Sequence, residues 1–165
     1  MVQVRVVMFL LVASCAGTGS HQEVALAPNA SEDRPVRFTG SEPGEVLAKW
    51  RALVAPHVEQ ARSTYPEAKR RYLAGLPPRH TFFVTTLLRD GHGHFENVFV
   101  VVHRIAGQEV TGRIANPVNV VQGYRNGQLL SFAEADVIDW MISNPDGSEE
   151  GNFVGKFLDT LPRKN

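Results

Sequence analysis

The ten residues "ENVFVVVHRI" (96–105) decide the fold. Side chains on an extended strand alternate between its two faces. Phe99, Val101 and Ile105 therefore fall on one face, and Val98, Val100 and Val102 on the other. A strand apolar on both sides belongs in the middle of a sheet that is covered on both sides. Three residues further on, across "AGQ", comes "EVTGRIA" (109–115), which alternates cleanly: Val110 and Ile114 inward, Thr111 and Arg113 outward. The tight link predicts an antiparallel hairpin with its second strand nearer an edge. Upstream, "TFFVTTLL" (81–88) has the β-branched and aromatic content of a third strand. Downstream, "NPVNVVQGYRNG" (116–127) reads as a link closed by an Asn-Gly turn, "QLLSF" and "VIDWMIS" as short strands, and "GNFVGKFLDTL" as a closing strand or helical turn.

Ahead of residue 80 the period changes. Val46, Leu47, Trp50, Leu53, Val54, Val58 and Ala61 recur at three- and four-residue spacing, which predicts an amphipathic helix that Pro56 kinks, or splits after Ala55. "TYPEAKRRYLAGLPP" (64–78) predicts a second helix. Thr64 is its N-cap, Glu67 completes a capping box, Pro66 sits in the first turn, and Gly75 with the Pro77–Pro78 pair ends it. Tyr65, Ala68, Tyr72 and Leu76 are its buried stripe, and Lys69-Arg70-Arg71 its solvated face. The expectation is an α+β domain over residues 44–162: an N-terminal helical pair followed by a curled antiparallel sheet of about five strands.

The chain of 165 residues suffices for one such domain. Its 17 basic and 17 acidic side chains balance, so no general field draws it to nucleic acid. The lone cysteine, Cys15, leaves no disulfide within the chain and no thiol nucleophile in the domain. Residues 1–14 have the form of a signal peptide, with Arg5 ahead of the apolar "VVMFLLVA". "Val-Ala-Ser-Cys" resembles a bacterial lipobox, which implies acylation of Cys15 and stable attachment to a membrane. Ala16 follows where an Asp would retain such a protein in the inner membrane, so the outer membrane, facing the periplasm, is favoured. Residues 15–43, rich in Gly, Ser, Thr, Pro and Ala, read as a flexible tether. Its coil dimension is roughly 30 Å.

One short stretch invites chemistry. "DGHGHFE" (90–96) places His92, His94 and Glu96 at alternate positions. On a strand these side chains would share a face and converge on a cation, giving a metal-dependent hydrolase, with Glu96 as a ligand or general base. Asp90-Gly91, however, is a turn signal that puts the histidines in a solvated loop and leaves only Glu96 at the strand start. The stretch is no phosphate loop, because it enters a strand and no Gly-Lys-Ser/Thr follows. Ser131, Ser143 and Ser148 lack the surroundings of a nucleophile. Asp139-Trp140 is the other polar station, either a binding platform of acid and aromatic, or a core Trp beside an acid that accepts backbone N–H bonds across a turn. No cofactor is expected.

Residues 80–158 resemble the YegJ-like family of bacterial domains of unknown function. The stations are Glu96-Asn97-Val98-Phe99-Val100, Gly112-Arg113-Ile114-Ala115-Asn116-Pro117, Gly127-Gln128-Leu129-Leu130, Ile138-Asp139-Trp140-Met141 and Gly151-Asn152-Phe153-Val154. Asn97 and Phe99 stand where the family has His and Trp, and the family pattern is silent on His92 and His94. The resemblance implies the fold and no reaction. A more distant similarity to immunity proteins of bacterial toxin systems implies a protein partner as an alternative. The reading that results is an envelope lipoprotein whose domain binds a protein or ligand without catalysis, with Glu96, Asp139 and Trp140 as candidate binding residues.

Overall fold

The helical periodicity after Gly44 produces one element where two are expected. In the computed structural model, which describes residues 42–162, α1 runs unbroken across Pro43–Ala74 with Pro56 and Pro66 inside it. At 1.5 Å per residue it is about 48 Å long. An interior proline removes an N–H and crowds the preceding turn, at a cost of about 3 kcal/mol. Burial on both sides of each proline outweighs that cost: Trp50 and Val54 precede Pro56, and Ala61 and Ala68 bracket Pro66. Thr64 does not cap a new helix. Its hydroxyl turns back onto the carbonyls of Gln60 (3.0 Å) and Ala61 (3.1 Å), the local bonding that lets a hydroxyl serve a bent helix from inside.

The strands are β1 (Thr81–Arg89), β2 (Phe95–Ala106), β3 (Glu109–Ile114), β4 (Leu129–Ala133), β5 (Asp139–Ser143) and β6 (Glu149–Gly151), and α2 (Phe153–Asp159) closes the described chain. They form one open, curled antiparallel sheet in the order β4-β3-β2-β1-β5-β6, so the fold is α+β with its helices at the two ends of the sequence. The doubly apolar stretch lies inside the sheet, where β2 pairs with β1 from Phe83↔Val101 to Arg89↔Phe95 and with β3 across Gly107. Gly107 has a φ of +60°, a backbone shape that favours glycine in so short a turn.

The register slips between Val102 and Arg104. A bulge of this kind inserts one residue and turns over the side chains beyond it. Ile105 therefore joins Val102 and not Val101, which corrects the face expected from strict alternation.

The sheet's two faces are unequal. The inner face, under α1, gathers Phe82, Val84, Val98, Val100, Ile114 and Ile142 against Ala61 and Ala68, with Tyr65 and Tyr72 packed alongside. The outer face carries a small separate cluster of Phe83, Phe99, Val101, Ala115 and Met141. α2 packs against the first half of α1, where Val154 meets Trp50 and Val54 and the Phe157 ring stacks on His57 at 4.1 Å. Farther along α1, the run of basic residues is fully paired. Lys69 bonds Glu134 just beyond β4, Arg71 makes a two-pronged pair with Glu150 on β6, and Arg70 pairs with Glu67. Among the described residues no helix is long and apolar enough to cross a membrane. Cys15, the proposed signal segment and all but the last two residues of the expected tether lie outside the described residues.

Candidate functional site

In "DGHGHFE" the acids, and not the histidines, make the long-range contacts. Asp90 closes the β1–β2 hairpin: its Oδ1 accepts the N–H groups of His92 (2.9 Å) and His94 (3.0 Å), and its Oδ2 faces His94 Nδ1 at 2.9 Å. The same Oδ2 accepts from Gln122 N–H at 3.2 Å. Burial raises the Asp90 carboxyl, but these hydrogen bonds, led by that of His94, outweigh it and hold the group well below the usual carboxylate range. Glu96 is 7% exposed and accepts the N–H groups of Asn119, Val120 and Val121 at 2.8–3.3 Å. Four consecutive amides, 119 to 122, are thus fastened to the start of the hairpin by two carboxylates.

The proposed ligand set is not brought together. His92 and His94 are exposed in the turn with ring centroids 6.1 Å apart, and Asp90 and the loop amides already engage His94 and Glu96. Among the described residues no group of three or more His, Cys, Asp or Glu side chains is placed to hold a metal ion.

Asp139 and Trp140 begin β5. Asp139 is 1% exposed, and its carboxylate accepts Trp140 N–H at 2.8 Å and Val154 N–H, in the first turn of α2, at 2.6 Å. The donor beyond β5 is thus the first turn of α2, which follows β6. Burial pushes the Asp139 carboxyl up to about 6, against the pull of the Val154, Trp140 and Phe153 amides and of Lys156. The Trp140 ring is 7% exposed and packs edge-on to Phe153 at 6.0 Å. Its indole N–H is shared between Ala61 O (3.2 Å) and Thr64 Oγ1 (2.9 Å) of α1. Trp140 thus links β5 to α1, and Asp139 links it to α2.

Beside this junction lies a cleft of about 490 Å³ between α1 and the turn after β4. Its apolar floor includes Ala61, Val137, Ile138 and Trp140. Its polar groups are Arg62, Tyr65, Gln108 and Glu134, with Asp139 at the base. The Tyr65 hydroxyl is buried beside Glu134 without a well-formed hydrogen bond to it. Burial, reinforced by that carboxylate, raises its pKa far above the ordinary tyrosine value, so it stays a neutral donor. Arg62 is exposed at the rim and makes no ion pair with any described residue. Glu134, by contrast, is neutralised by Lys69 at 2.6 Å. The sequence marks Tyr65 only as a stripe residue, and gives no local signal for Arg62 or Glu134, because α1 and the turn that faces it are about seventy residues apart.

No protein-family model, curated protein or solved structure matches this chain.

Proposed function

We propose that this chain is a lipid-anchored protein of the bacterial envelope, YegJ-like in type, whose α+β domain binds a ligand without catalysis. The observation that carries the binding role is the cleft beside Trp140. Its volume lies within the range of small-molecule sites, its lining is mostly apolar, and its few polar groups converge. The guanidinium of Arg62, exposed at the rim and without an ion pair to a described residue, suits a ligand with an apolar body and a carboxylate or similar acceptor head. Hydrolysis at His92, His94 and Glu96 is not favoured, because Asp90 and three loop amides occupy two of the three groups.

Dodecanoate and dodecanol, titrated against the fluorescence of the two tryptophans, test the reading. Trp140 lines the cleft, so dodecanoate is expected to change its emission saturably and to bind more tightly than dodecanol. Arg62→Ala should remove that preference. Equal, non-saturating responses in both proteins would overturn the cleft as the site. The anchor is tested separately: Cys15→Ser should release the protein from membranes, and a variant that stays bound refutes acylation at Cys15.

A further inference from the structure

The two margins of the sheet are not equally guarded. β6 is only three residues long, Glu149–Gly151, and its Glu150 is held by Arg71. β4 is five residues, "LLSFA", with no charge and no proline. It runs beside β3 in unbroken register from Glu109↔Ala133 to Arg113↔Leu129. An edge strand without charge, proline or bulge is a template for a further strand.

Hydrogen bonds at the two ends of β4 fix which of its backbone groups are free. Ile114 N–H donates to Gln128 O at 3.0 Å, and Glu134 N–H to Gln108 O at 2.8 Å. Bonded residues alternate in an antiparallel ladder, so Leu130 and Phe132 turn their N–H and C=O groups toward β3. Leu129, Ser131 and Ala133 turn theirs away from it, and all three residues are exposed, Leu129 at 54%. These positions are symmetric about Ser131. A second β4 laid antiparallel, with Ser131 opposite Ser131 and Leu129 opposite Ala133, satisfies every outward N–H and C=O of both strands.

Charge selects the same arrangement. Arg113 and Arg125 stand at the start of β4, and Glu109 and Asp136 at its end. None of the four is in an ion pair among the described residues. Antiparallel pairing of two copies sets the basic end of one against the acidic end of the other, whereas parallel pairing sets like ends together.

We propose that β4 is a self-association edge, at which two copies of this chain pair antiparallel about a two-fold axis at Ser131 and join their sheets. The contact is short, so the dimer is of the weak, reversible kind.

Sedimentation velocity on the chain bearing Cys15→Ser, free of acyl groups, tests this. Its weight-average mass should rise with concentration toward that of two chains. Amide exchange at Leu129, Ser131 and Ala133 should slow over the same range, while Leu130 and Phe132 stay unchanged. Because the axis sets residue 131 against itself, adding Ser131→Lys or Ser131→Asp should each demand a severalfold higher concentration for association. An equimolar mixture of the two should associate at least as readily as the parent. A parent that stays monomeric overturns the proposal and leaves the edge to an extended segment of another protein. A dimer whose β4 exchange does not change, or that is indifferent to both substitutions, places the contact elsewhere. A mixture that stays monomeric overturns the two-fold register.

Discussion

Glu96 and Asp139 are both buried acids that commit their oxygens to backbone N–H groups, yet they hold different structures. Glu96 fastens a loop, residues 119–121, of which Asn119 and Val120 are exposed. Asp139 fastens the first turn of α2 and the start of β5, where the donors and their surroundings are buried. Water can replace the first acid for most of its donors and the second for almost none. Two carboxylates with the same local bonding therefore differ in energetic weight because of what lies behind their partners.

The largest effect is expected at Asp139. Asp139→Ala strands two buried amide donors, and chemical denaturation should report a loss of roughly 2–4 kcal/mol. The same residue sets a pH signature. Burial raises its carboxyl from the ordinary aspartate value of 3.8 to about 6. The folded state then binds more protons than the unfolded chain between those values. Its contribution to stability is fully present below about pH 4 and is lost as pH rises through about 6. Asp139→Asn should flatten that stretch of the stability–pH curve, and an unaltered curve would assign the dependence elsewhere. Glu96→Ala should cost less, roughly 1–2 kcal/mol, with faster amide exchange at residues 119–121 and unchanged exchange in α2. If Glu96→Ala proves as costly as Asp139→Ala, solvent access is not what separates the two acids. Smallest of all, His92→Ala should shift stability by less than about 0.5 kcal/mol, since the side chain is exposed in the hairpin turn.

The α+β class, the interior place of β2 and the β2–β3 hairpin are legible in sequence because each rests on a strong local period. The single long helix is not, because two prolines and a well-formed capping box argue locally for a break that only tertiary burial overrides. The bulge that moves Ile105 across the sheet leaves no mark in the alternation itself. At the hairpin, composition draws attention to His92 and His94, while the contacts belong to Asp90 and Glu96, whose partners lie 23 to 32 residues later. The cleft has no local motif at all. Its donors come from one helix turn, and its opposite wall from a turn beyond β4.

The pairs made by Lys69 and Arg71 have a mechanical meaning. One reaches the turn beside β4 and the other reaches β6, so a single stretch of α1 is tied to opposite margins of the sheet like a strut across an arch. The arch keeps its curvature while both ends of the strut are pinned. Glu134 is one of those pins and also part of the cleft wall. Spreading the cleft at that wall and slackening the arch are therefore one movement.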